Sequence, residues 1–169
     1  MRTTIATLLS LAAAAWAWAP GSVLSAQSPT LDACTVLTRE EIMTLSGNQD
    51  PGSPDPGGSG DPTTCRWGET TPTGRVALYA NVDPNEPKGL ALKQLLDRGM
   101  KARGITDLGD DAVFLADDDG TPSGTLFVRV GHWRIVITRE AEPKGTAEST
   151  LPTLTAFAKA AIPKLRRAG

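Results

Sequence analysis

The chain has 169 residues, 17 Lys and Arg against 19 Asp and Glu, a formal net charge of −2, 40% hydrophobic residues and two cysteines. That length bounds it to one domain around a single core. The acidic balance excludes a nucleic-acid partner, because phosphate binding needs a positive surface; the one basic cluster, Lys164-Leu165-Arg166-Arg167, is short and ends a predicted helix, where cations suit the dipole.

Residues 1–26 carry one early positive charge, Arg2, then an apolar run from Ile5 to Ala19, then small and turn-forming residues ending at Ala26. This is a secretory signal pattern. Cleavage after Ala26 leaves residues 27–169 as a single domain, and since the removed stretch holds Arg2 and no acid, 16 basic face 19 acidic side chains. The alternative is an uncleaved anchor: Thr3 to Ala19 reaches the lower limit for spanning a bilayer, with Trp16 and Trp18 suited to its interface. Only in that case is a membrane a partner. Cys34 is a poor lipidation site, because Asp32 stands where a small or apolar residue belongs.

Thr38 and Glu41 form a capping box and Gly47 supplies a left-handed stop, so the spacing predicts a helix over 38–46. From 48 to 64 four Pro, four Gly, three Asp and two Ser mark a flexible loop. "TCRW" then alternates as a strand around Cys65 and Trp67. In an exported chain two cysteines allow one intramolecular pairing, which places a disulfide between Cys34 and Cys65.

"RVALYANV", 75–82, alternates as a half-buried strand in a hairpin with the Trp67 strand. Leu92, Leu95, Leu96 and Met100 recur at helical spacing, predicting a helix over 88–103 that Gly104 stops. "DAVFLA", 111–116, is a strand, and 117–124 a loop. "TLFVRVGHWRIVIT", 125–138, is a hairpin about a type II′ turn with Gly131 and His132 at its centre. That turn sets Val130 opposite Trp133, Val128 opposite Ile135, Leu126 opposite Ile137 and Arg129 opposite Arg134. Leu154, Phe157, Ala158, Ala161, Ile162 and Leu165 give a final amphipathic helix in which Pro163 is expected to kink or fray the last turn. The whole reads as an α+β domain, a single antiparallel sheet of about five strands in the order αββαβββα with helices packed on it.

The order "CTVLTREEIMTLSG", "CRW", "VALYANV", "DLGDDAVF", "LFVRVGHWRIVIT" and an alanine-rich last helix resembles an uncharacterised family of small envelope lipoproteins best known from actinobacteria. The resemblance spans most of residues 27–169. It implies an antiparallel sheet with packed helices, similar to PsbP-like domains, and brings no assigned activity or catalytic residues. The chain departs from that family in lacking a credible lipidated cysteine.

Catalysis near neutral pH needs groups that exchange protons or attack, and the inventory is thin. His132 is the only histidine and falls in a predicted turn, no Ser lies in Gly-x-Ser-x-Gly, and no phosphate loop is present. Asp107, Asp110 and Asp111, with His132, are the groups a hydrolase would use. Asp117, Asp118 and Asp119 offer oxygens for calcium but without EF-hand spacing, and read better as a solvated loop. Arg129 and Arg134 are like charges placed opposite one another, which destabilises a strand pair unless something compensates. Either acids such as Asp110, Asp111 or Glu140 pair with them, or they hold an anionic ligand through two guanidinium forks. The expectation is an exported, non-enzymatic binding or accessory domain of the bacterial envelope, partnered by an envelope protein or a small anionic ligand and needing no cofactor; a hydrolase using Asp110 and His132, or a calcium-binding module, is the alternative.

Overall fold

The structure is a computed structural model that describes residues 31–47, 50–56, 62–68 and 73–169; the expected signal segment lies outside them. It begins with two short helices, α1 (Ala33–Val36) and α2 (Arg39–Ser46). Asp32 caps α1 by accepting the Cys34 N–H at 2.8 Å. Thr38 and Glu41 cap α2 reciprocally, and Gly47, at φ +69°, ends it in the left-handed conformation that glycine adopts without a Cβ penalty. Neither helix is long enough to persist alone, and both are held from outside. Cys34 and Cys65 are joined in a disulfide. Ile42, Val36 and Leu37 are buried. Lys164 of the last helix donates to Glu41 Oε2 at 2.6 Å and to the Val36 carbonyl at 3.0 Å. Burial pushes the Glu41 carboxyl up, but the Lys164 ammonium and the Thr38 N–H outweigh it and hold the group below the ordinary glutamate range.

The sheet has seven strands: β1 (Asp55–Pro56), β2 (Thr64–Trp67), β3 (Gly74–Tyr79), β4 (Ala102–Gly104), β5 (Asp111–Asp117), β6 (Ser123–Val130) and β7 (Trp133–Glu140). Their order is β1-β2-β3-β7-β6-β5-β4, every neighbour antiparallel. The expectation of about five strands is therefore corrected to seven. Both additions are edge strands of two or three residues, too short to show a period of two. β1 lies inside the Pro/Gly-rich stretch, whose described first part is tied down: Arg39 bonds Asp50 and the Gly52 carbonyl, and Pro51 is buried. β4 lies where the expected second helix was to end. The observed helix, α3, spans Leu90–Asp97; Gly99, at φ +75°, turns the chain back so that Ala102–Gly104 pairs with β5.

The hairpin of β6 and β7 has the expected register throughout, including Val130 with Trp133, Arg129 with Arg134 and Leu126 with Ile137. Gly131 has φ +58° while His132 is not left-handed, as a type II′ turn requires. A 3₁₀ turn (Ala147–Thr150) leads into the last helix, α4 (Leu151–Ala168). The helix continues through Pro163, contrary to the expected fray. Pro163 is exposed, and Leu165, fully buried, keeps the final turn on the sheet.

The core lies between α4, α1 and α2 on one side and one face of the sheet on the other. Leu154, Phe157, Ala158, Ala161 and Leu165 meet Val76, Leu78, Phe114, Leu126, Val128, Ile135 and Ile137. Trp67 meets Phe157 edge-on with ring centroids 5.8 Å apart. Two glycines set how closely these layers approach. A Cβ at Gly124 would collide with the Thr150 hydroxyl and lie 2.8 Å from Phe114, and one at Gly74 would enter the Trp67 ring. No helix among the described residues is long and apolar enough to cross a membrane.

Candidate functional site

Side chains alternate across a sheet, so the face turned away from α4 carries four rows, the last of them Glu140, Ser123 and Asp117. The first is Tyr79, Arg134, Arg129 and Asp111; the second is Thr64, Ala77, Val136, Phe127 and Val113; the third is Arg66, Arg75, Thr138, Thr125 and Leu115. α3 lies over the β4–β5 end of this face: Ala91 stands with Asp111, Val113, Phe127, Arg129 and Arg134 around a small hollow. The rest is bare.

The first row is closed by the segment between β3 and α3. The Val82 N–H donates to the His132 carbonyl at 3.0 Å, and Gly89 N–H to Asp111 Oδ2 at 3.0 Å. Over that span Arg129 donates to the Pro84 carbonyl at 2.7 Å, and Arg134 to Glu86 Oε2 at 2.6 Å. Arg129 is 6% exposed. The compensation the sequence called for is present, supplied by Glu86 and a backbone carbonyl rather than by Asp110, Asp111 or Glu140. Arg134 keeps one side toward the bare face.

The third row repeats the like-charge arrangement without that remedy. Arg66 on β2 is the register partner of Arg75 on β3, and both are exposed. Among the described residues neither guanidinium has a hydrogen bond or an ion pair, although Asp55 occupies the neighbouring position on β1. Two shallow hollows meet at Arg75 and Thr138. One, of about 350 Å³, is polar and includes Arg66, Thr73, Ser123 and Glu140. The other, of about 470 Å³, runs over Tyr79, Phe127, Val136 and Leu115 to Arg134. Tyr79 is 53% exposed, the most exposed of the large apolar side chains. Together they make one amphipathic surface: cationic at the β2–β3 end, apolar in the middle.

The other sequence candidates fall elsewhere. Asp110 and His132 do share a hollow, of about 250 Å³, with Trp133, Arg166 and Gly169. Asp110 Oδ2 is already taken there by the Gly131 N–H at 2.6 Å, so the carboxylate serves the hairpin turn. Neither a Ser, Thr nor Cys lines that hollow. Asp117 Oδ1 accepts from the Asp119 N–H, and Asp118 Oδ1 from the Ala147 N–H, which docks the 3₁₀ turn. Among the described residues no group of three or more His, Cys, Asp or Glu side chains is placed to hold a metal. Asp107 has φ +60°, a turn position rather than a member of a carboxylate cluster.

Sequence reasoning passed over Arg66 and Arg75. The signal was there, since "TCRW" and "GRVALY" are an evident hairpin, but six residues separate the last of one strand from the first of the next. A connection of that length does not fix register as a two-residue turn does.

Neither a protein-family model, a curated protein nor a solved structure matches this chain.

Proposed function

We propose that this chain is an exported, non-enzymatic binding domain of the bacterial cell envelope, which takes its ligand on the bare face of the sheet. The disulfide between Cys34 and Cys65 fits an oxidising, non-cytoplasmic compartment, and the signal pattern of residues 1–26 agrees with it. One observation carries the binding reading. Among the described residues, Arg66 and Arg75 stand opposite each other without a hydrogen bond or ion pair, at the end of an apolar surface that no described element covers. Like charges so placed cost stability, and an anion between them removes that cost.

The test is a thermal-shift screen of the oxidised domain, residues 27–169, against several hundred small metabolites, run beside Arg75→Glu. Compounds that raise the melting temperature of the first and not of the second support the reading. A screen in which no compound separates the two proteins contradicts it.

A second reading, acid–base chemistry at Asp110 and His132, rests on their sharing one hollow. It predicts that a hydrolase substrate panel finds an activity lost in His132→Ala.

A further inference from the structure

We propose that the ligand of the bare face is a small planar aromatic acid, its carboxylate held between Arg66 and Arg75 and its ring lying over Tyr79, Phe127 and Val136. This rests on the binding reading above and gives it a chemical class.

Size is the first argument. The bare rows cross five strands at a spacing of about 4.8 Å and run from Arg75 to Tyr79 at about 3.3 Å per residue, an area of about 250 Å². A stable protein interface needs about 800 Å² from each partner. A ligand confined to this patch is therefore small, and a folded partner would have to extend beyond it.

Shape is the second. The apolar hollow is shallow and open, about 470 Å³, and its floor is lined by Val136, Phe127, Thr125 and the exposed Tyr79. A flat ring buries one whole side against such a floor and orders no rotors in doing so, whereas a flexible acyl chain loses conformational freedom and leaves most of its circumference in water. Arginine adds to the preference, since its guanidinium plane both forks to a carboxylate and stacks on an aromatic face.

Charge is the third. At the cationic end Arg66 and Arg75 have no hydrogen bond or ion pair among the described residues, and Ser123 lies in the same hollow with Thr138, whose hydroxyl is 3.1 Å from that of Thr125. Two carboxylates are near, Glu140, whose Oε2 accepts the Thr73 N–H at 3.1 Å, and Asp55 across from Arg66, but among the described residues neither forms an ion pair with Arg66 or Arg75. An anionic headgroup satisfies both guanidinium groups at once, and a cation or an uncharged ring does not.

The experiment is isothermal titration of the oxidised domain with 2-naphthoate, 2-naphthalenemethanol and decanoate, repeated on Arg75→Ala and Tyr79→Ala, each checked for an unchanged fold by its melting temperature. Both substituted side chains are exposed, so both variants fold. The expected result is that 2-naphthoate binds at least about tenfold more tightly than either other compound, and that each variant weakens it about tenfold. Equal affinity for 2-naphthalenemethanol removes the anion from the proposal, and equal affinity for decanoate removes the ring. No binding of 2-naphthoate overturns the class outright; if the metabolite screen meanwhile finds other compounds sensitive to Arg75→Glu, the binding reading stands without it.

Discussion

Two pairs of arginines sit directly across strands on the same face of this sheet, and the fold treats them differently. Around Arg129 and Arg134 the chain has built a cover: the segment from Val82 to Gly89 crosses them, delivers the Pro84 carbonyl and Glu86, and is pinned at both ends. Around Arg66 and Arg75 no described segment supplies a hydrogen bond or an ion pair. The difference teaches where a like-charge pair is structural and where it is available. A guanidinium 6% exposed must be satisfied by the protein itself, while an exposed one is free to be satisfied by something else.

The comparison is broken most severely by cutting the staple that positions β2. Cys34→Ser with Cys65→Ser frees a loop whose ends are 31 residues apart and is expected to cost about 3 to 4 kcal/mol, read as a lowered urea midpoint. Because Cys65 adjoins Arg66, the reduced protein is also expected to lose ligand affinity. Next comes the covered pair. Arg129→Ala leaves the Pro84 carbonyl without its donor and removes a buried side chain, for an expected loss of about 1 to 3 kcal/mol. A loss under half of that means that solvent already serves the carbonyl and the cover is looser than described.

The acid limb of stability sharpens the account of what holds the N-terminal helices. Glu41 is held below its unfolded value, so in the window between the two the unfolded chain binds more protons and stability rises with pH. Its contribution is complete above the ordinary glutamate range and is lost as the pH falls through the folded value. Glu41→Gln is expected to flatten that limb, measured as urea midpoints from pH 6 down to pH 3. An unchanged slope assigns acid sensitivity to other carboxylates. The smallest effect belongs to the open pair: Arg75→Ala without ligand is expected to be neutral or to stabilise by about 0.2 to 1 kcal/mol at low salt, through relief of repulsion. A destabilisation beyond that range shows that Arg75 has an internal partner.

Much of this architecture was legible wherever local chemistry is decisive. The capping box at Thr38 and Glu41, the stop at Gly47 and the β6–β7 register about Gly131 each follow from a few adjacent residues whose geometry admits one solution. Pairings over long separations were less so. β1 and β4 are too short to have a period, and α3 ends at Asp97, after which Gly99 turns the chain so that Ala102–Gly104 pairs beside β5, which spacing along the helix does not reveal. The candidate site shows the same divide. Arg129 opposite Arg134 could be read from the hairpin, whereas their cover comes from Pro84 and Glu86, about 45 residues earlier in the chain. Asp110, offered by the sequence as a partner for the arginines or, in the alternative, as a hydrolase acid, holds a turn N–H. Asp118, read as part of a solvated loop with calcium as the alternative, docks the 3₁₀ turn.

The central claim is that the bare face receives the ligand, and amide chemical-shift mapping tests it most directly. On titration with 2-naphthoate the account predicts that perturbations concentrate on β2, β3 and β7 around Arg66, Arg75, Tyr79 and Thr138, leaving the α4 side and the Asp110–His132 hollow unchanged. Perturbations centred on His132, Trp133 and Arg166 would contradict it.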